Sequence, residues 1–224
     1  MMMIKKYCAG FCLLLAALPV FSQDKDFGIW YGAGVRHEIV KNLDLNVSAV
    51  VRTFENAGRV DQGFLEAGFD YKFLKFLSAG LSYRLTDALE DDSEYHIQHK
   101  LFLDLRGTAK LSDFSFSARV RFQSRFRTYF EYADDKIPDY TLRLKLKAAY
   151  NTPSFPLNPY IYYEPFFPLN KDPERTLGKS RAAAGLELQI TNKHSIDAEY
   201  IFQRDYLPDL SDISLISLSY NFKF

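Results

Sequence analysis

The chain has very little cysteine, and its positive and negative charges balance. Its 224 residues include two cysteines, Cys8 and Cys12, and both lie within the first 22 residues. The rest of the chain therefore has no thiol, no disulfide and no cysteine metal site. Lysine and arginine together number 28, as do aspartate and glutamate, so the basic excess of a nucleic-acid-binding surface is missing. We expect no nucleic-acid partner.

Long hydrophobic runs and catalytic motifs are also missing. After residue 22 no segment has the roughly 18 consecutive apolar residues of a transmembrane helix. The chain has four histidines but no HExxH, GxSxG or glycine-rich phosphate loop. His96 and His99 are three residues apart on a predicted strand, so their side chains point to opposite faces and cannot share a metal. We expect a protein that is not an enzyme and has no metal and no cofactor.

The first 22 residues have the pattern of a secretory signal peptide. Lys5 and Lys6 are followed by a short apolar stretch from Phe11 to Phe21, and small residues precede Gln23. The apolar stretch is too short to span a membrane. We expect residues 1–22 to be removed and residues 23–224 to form one exported domain.

Aromatic residues, by contrast, are abundant: 20 Phe, 15 Tyr and 1 Trp. This content excludes an intrinsically disordered chain. Apolar and polar residues alternate through most of the chain after residue 22, which predicts strands with two different faces. We expect strands at about 43–52, 65–73, 95–109, 113–126, 139–150, 178–190, 195–205 and 213–224, with weaker ones near 27–39, 77–85 and 159–167.

The charge pattern fits both a membrane barrel and a soluble one. Across nine of these strands the apolar phase is free of charged residues, whereas the opposite phase is rich in them. A charged side chain facing lipid at the membrane midplane costs about 2–4 kcal/mol. A soluble ligand-binding barrel would show the same alternation with its apolar face inside. Alternation alone therefore leaves the direction of the two faces open.

The linkers and the strand ends favour the membrane barrel over the soluble barrel. Tight turns near 40–42, 74–76, 110–113 and 191–194 alternate with longer polar loops, as in bacterial outer-membrane barrels. Aromatic residues gather at the strand ends, where they would form two interfacial girdles. These girdle residues are Tyr95, Phe126 and Tyr140 near the loops, and Tyr71, Phe73 and Tyr150 near the turns.

The last strand also resembles the assembly signal of Gram-negative outer-membrane proteins. The chain ends ISLSYNFKF, with Tyr220, Phe222 and the terminal Phe224 in one phase. The resemblance implies recognition by the barrel-assembly machinery and a location in the outer membrane, with membrane lipid as the surrounding partner. The fold class we expect is all-β: a closed, antiparallel, up-and-down transmembrane β-barrel of 10–12 strands.

The chain after the signal resembles a family of small outer-membrane barrels classed only as a domain of unknown function. The features that carry the resemblance are FGIWYGAGV at 27–35, FDYKFLKFLSAGLSYRL at 69–85 and the YNFKF end. These are patterns of pleat and turn rather than a catalytic signature. The resemblance therefore implies a barrel and supplies no site residues.

The strand count needs an explanation, because the pattern gives eleven while single-chain bacterial barrels have an even number. One long segment could split, the N-terminus could thread the interior, or 159–167 could fall short of a full strand. Pro159 and Pro165 favour an edge or irregular strand there, and the five prolines of 151–168 favour an irregular rim.

The inward phase is where function is expected. It divides into a basic wall and an acidic wall. The basic residues are Lys100, Arg106, Arg119, Arg121, Arg125, Arg143, Lys145 and Lys147, accompanied by Asp104. The acidic residues are Glu164, Glu187, Asp197 and Glu199, accompanied by Asp205, Lys179 and Arg181.

Two functions fit these walls. The charges could pair across a narrow lumen and plug it, which would make the barrel a structural or interaction protein. Alternatively, a partly open lumen would pass small solutes, with a bias toward anions. The sequence predicts a channel of unassigned solute and keeps the plugged barrel as the alternative.

A third hypothesis is an outer-leaflet lipid hydrolase. If the 110–113 turn sets the register, outward His99 lies opposite outward Ser124, which is the arrangement of a base and a nucleophile. No acidic third member is expected beside them.

The acidic loop 86–94 lacks the glycine of a calcium-binding loop and is expected to be solvated.

Overall fold

The computed structural model describes residues 26–90, 93–130, 136–170, 177–207 and 210–224. The predicted signal peptide lies outside the described residues, as do Asp91 and Asp92 of the predicted 86–94 loop. No described segment is a helix long and apolar enough to cross a membrane. The described chain is built from strands.

Eleven strands follow one another along the described part of the chain. Their bounds are β1 Asp26–Val40, β2 Leu43–Phe54, β3 Arg59–Leu74, β4 Leu77–Leu89, β5 Tyr95–Leu111, β6 Phe114–Arg127, β7 Asp139–Tyr150, β8 Leu157–Pro168, β9 Lys179–Gln189, β10 His194–Asp205 and β11 Ser211–Lys223. The predicted strands are confirmed, and most extend a few residues beyond the predicted bounds.

The strands close into a barrel in sequence order. Each strand pairs antiparallel with the next, and β1 pairs parallel with β11, from Asp26 opposite Ile213 to Arg36 opposite Lys223. The barrel therefore has eleven strands among the described residues, an odd number that lies within the predicted range of 10–12. Neither a split strand nor a threaded N-terminus is needed, because the parallel pair closes the barrel and leaves no open edge.

The β1–β11 seam is packed closely through glycine. A Cβ atom on Gly32 would lie 2.7 Å from Ser219 Oγ, and one on Gly34 would lie 2.9 Å from Asn221 Oδ1. The side chains of β11 thus occupy the space that β1 leaves empty. The opening motif FGIWYGAGV supplies these glycines at alternate positions on the inner face.

Apolar side chains point outward, as predicted. On β5 Phe102 is 1% exposed and its neighbour Leu103 is 56% exposed, and Leu101 and Leu105 are exposed like Leu103. The outward phase does contain charge near the long-loop ends. Arg204 there pairs with Asp212 at 2.7 Å.

The connections differ at the two rims. Two-residue turns join β1 to β2, β3 to β4 and β5 to β6, and Asn42 and Ser112 adopt positive φ there. Longer connections lie at the other end, including 128–138 and 169–178. We call the two ends the turn rim and the long-loop rim.

The prediction for β8 was wrong in one respect. Leu157–Pro168 is a full strand with a partner on each side, so it is neither an edge nor part of an irregular rim. The irregularity is local. Pairing with β7 skips from Arg143–Phe166 to Leu146–Tyr163, on either side of Pro165, since proline has no N–H to donate.

The C-terminus is fixed at the turn rim. The N–H of Phe224 donates to the carbonyl of Arg36 at 2.9 Å, and the ring of Phe224 meets His37 edge-on at 5.5 Å. Phe222 lies between Phe224 and His194. The predicted terminal strand thus ends in an aromatic cluster beside β1 and β10.

Gly185 gives a test of the inner packing. It lies opposite Tyr160, and a Cβ there would be 2.4 Å from Tyr160 Cζ. We expect Gly185→Ala to lower the free energy of unfolding by about 1–3 kcal/mol, because it forces a buried ring to move. Urea unfolding in lipid vesicles would measure the change.

Gly63→Ala is the matched control, since a Cβ there would meet nothing within 4 Å. It should leave stability unchanged or slightly raised. An equal loss in both variants would contradict the packing of Tyr160 over Gly185.

Candidate functional site: the barrel interior

A large cavity lies inside the barrel at the long-loop rim. Its volume is about 1010 Å³, and all eleven strands contribute lining residues. We call it the outer cavity. Its charged lining consists of Arg52, Arg84, Lys100, Arg125, Arg127, Arg143, Lys179 and Arg181 against Asp26, Asp61, Asp139 and Asp205. Positive charge is therefore in excess.

A second cavity of about 480 Å³ lies at the turn rim. Lys147, Glu187, Asp197 and Asn221 line it from inside the barrel, and Lys193 lines it from the β9–β10 turn. We call it the inner cavity. Among the described residues, none lines both cavities.

Packed side chains separate the two cavities. This middle layer consists of Phe102, Asp104, Arg119, Arg121, Tyr160, Tyr162, Glu164 and Ile201. Its apolar part, Tyr160, Tyr162 and Ile201, joins a core cluster with Ala183 and Leu215.

Ion pairs hold the polar part of the middle layer. Arg121 makes two parallel hydrogen bonds of 2.6 Å to Asp104. Glu164 accepts from Arg119 at 2.6 Å and from Arg143 at 2.9 Å. Hydrogen bonds between charged groups are roughly twice as strong as those between neutral groups, and the Arg121–Asp104 contact uses both carboxylate oxygens. Glu164 and Asp104 are almost fully buried, so these pairs are shielded from water.

The structure divides the predicted basic residues among three levels. Lys100, Arg125 and Arg143 line the outer cavity, and Lys147 lines the inner one. Arg119 and Arg121 lie in the middle layer. Lys145 places Nζ 3.4 Å from the ring centroid of Tyr162, and Arg106 lies 3.7 Å from Asp70 and 3.9 Å from Asp104.

Most of the predicted acidic residues contact the predicted basic residues through a tyrosine side chain. Glu164 pairs directly with Arg119 and Arg143, whereas Asp197 and Glu199 accept hydrogen bonds from the Tyr160 hydroxyl at 3.4 Å. Lys147 Nζ lies 3.5 Å above the same ring. Glu187 is opposite Asp197 and lines the inner cavity.

Sequence reasoning missed the aromatic side chains of the interior. Arg52 stacks over Trp30 at 3.9 Å, Arg84 over Phe64 at 3.8 Å and Arg143 over Phe166 at 4.3 Å. A cation over an aromatic face gains about 0.5–2 kcal/mol. The available signal was a break in the alternation, as at Phe64–Leu65 and Phe102–Leu103, where two adjacent residues are apolar.

Three cations of the outer cavity were also missed as site residues, Arg52, Arg84 and Arg127, which belong to the polar phases of β2, β4 and β6. Asp139 was missed as well, and it pairs with Arg125 and Arg127 at the top of the outer cavity. Arg127 lies one residue beyond the predicted strand 113–126, whereas Arg52, Arg84 and Asp139 lie inside predicted strands and were not recognised as site residues.

The lipid-hydrolase pair does not form. His99 is opposite Phe126 and Ser124 is opposite Leu101, so the predicted register was wrong by two residues. His99 Nδ1 instead lies 2.5 Å from the Tyr83 hydroxyl. Ser124 is buried, and its hydroxyl has no hydrogen-bond partner among the described residues.

The described residues contain no group of three or more His, Cys, Asp or Glu side chains in position to hold a metal ion. His96 stacks on Tyr129 at 4.2 Å, on the opposite face of β5 from His99.

The buried pair Arg121–Asp104 gives a second prediction. Asp104→Asn should lower the free energy of unfolding by about 3–5 kcal/mol, because it leaves the Arg121 guanidinium buried without its carboxylate. Urea unfolding of the folded barrel measures this change.

The control is Glu55→Gln, which removes the exposed pair with Arg59 at 3.6 Å. It should cost less than about 1 kcal/mol. If Asp104→Asn were as mild as this control, the middle layer would not depend on the buried pair.

Comparison with known proteins agrees with the geometry. A solved structure described as the NanC porin matches with a TM-score of 0.51 and 14% identity, over 79% of this chain and 86% of that one. The structure of Pseudomonas aeruginosa OccK11 (OpdR) matches with a TM-score of 0.38 and 14% identity, over 78% and 54%. No curated protein matches the sequence.

The fold is thus that of a porin-like barrel, and the sequence match sets the family. Residues 27–212 match the family described as "Protein of unknown function (DUF2490)", which is most of the chain. The chain belongs to the DUF2490 family.

Proposed function

We propose that this protein is a non-enzymatic barrel of the Gram-negative outer membrane that passes small solutes through a charged interior. The exposed apolar band supports the membrane location, since long exposed side chains such as Leu103 would be unfavourable in water. The porin-like fold agrees with the same location.

One observation supports the channel most strongly. Two cavities with charged linings lie at opposite ends of a closed barrel, and only the middle layer separates them. That layer is made of side chains rather than of an inserted backbone segment, among the residues that the structure describes. Side chains change rotamer on fast timescales, so such a layer restricts passage without requiring the fold to change.

The alternative is a plugged barrel with a structural or interaction role. The packing of Tyr160, Tyr162 and Ile201 and the buried ion pairs of Glu164 favour this function. The two proposals differ in one measurable property, the passage of ions.

Planar-bilayer recording distinguishes them. We expect the wild-type protein to give discrete current steps, and Tyr162→Ala to raise their amplitude about twofold or more, because it removes a ring from the middle layer.

Tyr163→Ala is the matched control, since Tyr163 is the next residue on β8 and points outward at 46% exposure. It should leave the step size unchanged. A silent wild-type protein across salts and voltages would contradict the channel and support the plugged barrel.

We also propose that the barrel-assembly machinery recognises the last strand. Its terminal ring lies exposed in the aromatic cluster at the turn rim, where a partner has access to it.

Deletion of Phe224 should lower the amount of folded barrel in outer-membrane fractions severalfold. Phe155→Ala, which removes an exposed ring in the β7–β8 connection, should have little effect. Equal amounts of folded protein from the deletion and the wild type would contradict this role.

A further inference from the structure

Three cations that face the outer cavity lack a carboxylate partner among the described residues. Arg52 has a buried Nε without any hydrogen-bond partner, and Lys100 makes no ion pair. Arg181 donates from Nε to the amide oxygen of Gln203 at 2.8 Å, which is a neutral partner. Charged groups in protein interiors are normally paired, because removal from water is costly.

Each aspartate that lines the outer cavity already has a partner. Asp61 accepts a hydrogen bond from the side-chain amide of Gln62 at 2.7 Å, and Asp26 accepts from the backbone N–H groups of Glu55 and Asn56. Asp139 binds Arg125 and Arg127, and Asp205 binds Lys179 at 2.8 Å. Burial disfavours the charge of Arg52 most, and Arg181 and Arg84 repel it, whereas Asp61 attracts it. The unpaired cations thus repel one another, and an anion placed between them would relieve that repulsion.

Two of the three cations also converge, and Lys100 lines the same cavity. Arg52 and Arg181 lie 3.9 Å and 4.9 Å from the ring centroid of the same residue, Trp30. Arg52 also lies 5.0 Å from the ring of Phe64. The rings hold both guanidinium groups in place without using all of their N–H donors, which leaves donors free for a ligand.

The size of the outer cavity suits a small organic molecule. Its volume of about 1010 Å³ is at the upper end of the range found for ligand pockets. Guanidinium groups bind carboxylate and phosphate oxygens through two parallel hydrogen bonds, and lysine adds a point charge.

We propose that the outer cavity is a binding site for a small solute bearing a carboxylate or phosphate group, held by Arg52, Lys100 and Arg181. This proposal rests on the proposed channel function and adds the chemical class of the solute. Binding at the site can be measured whether or not the barrel conducts. The anionic group of the solute lies among the three cations, and its remaining atoms occupy the cavity above Trp30.

Trp30 is the single tryptophan of the chain, so its fluorescence reports on this site alone. The purified barrel in detergent is titrated with glucuronate, glucose 6-phosphate and glucose, which share one sugar skeleton. We expect a saturable change with glucuronate, glucose 6-phosphate or both, which identifies the anionic group that binds. Glucose should give none. Added salt should weaken the binding.

Variants test the three cations. Arg52→Gln, Lys100→Gln and Arg181→Gln should each raise the dissociation constant about tenfold, the value of one charged hydrogen bond. Arg204→Gln is the matched control, since this arginine is in the outward phase and pairs with Asp212. It should leave the dissociation constant unchanged.

The unfolding midpoint separates binding from structure. Arg52→Gln should leave it unchanged or raised, because the substitution removes like-charge repulsion. A lowered midpoint in all three variants would show that the cations stabilise the barrel and would overturn the proposal.

Equal responses to glucose and to the acids, or no saturable response to either acid, would also overturn it. A barrel that binds the acid but is silent in bilayers would contradict the channel and retain the site. A barrel that conducts but does not bind would contradict the site alone.

Discussion

Closure of the backbone hydrogen-bond network is the constraint on which the rest of the structure depends. A strand with an open edge leaves N–H and C=O groups unpaired, which costs several kcal/mol for each group in lipid. Here the parallel pairing of β1 with β11 removes both edges. That pairing, with eleven strands in order, sets which side chains meet inside the barrel.

The interior combines two kinds of contact. Buried ion pairs such as Arg121–Asp104 join neighbouring strands, whereas Glu164 on β8 reaches Arg119 on β6 across the strand between them. Above this layer Arg52 and Arg181 stack on Trp30, so that these two guanidinium groups are held without a carboxylate partner among the described residues. In the middle layer each carboxylate is paired with an arginine, whereas the lining of the outer cavity has an excess of positive charge.

The sequence predicted the strands, their faces and the two kinds of rim, because these depend on local patterns of period two. It did not predict the seam, since a parallel closing pair leaves no local mark in the sequence. The predicted pairing of His99 with Ser124 was wrong because the turn was placed at 110–113. The β5–β6 turn is only Ser112–Asp113, which shifts the pairing by two residues. The stacking of Arg181 on Trp30 joins β9 to β1 through space, and alternation along single strands contains no information about it.

The central claim is that the apolar face points into lipid and the charged face lines the interior. Quenching of tryptophan fluorescence by brominated lipid tests it most directly, because the quencher acts only at short range within the bilayer. Native Trp30 should be quenched weakly, and a tryptophan introduced by Leu103→Trp in a Trp30→Phe background should be quenched strongly. Strong quenching of Trp30 together with weak quenching at position 103 would contradict it.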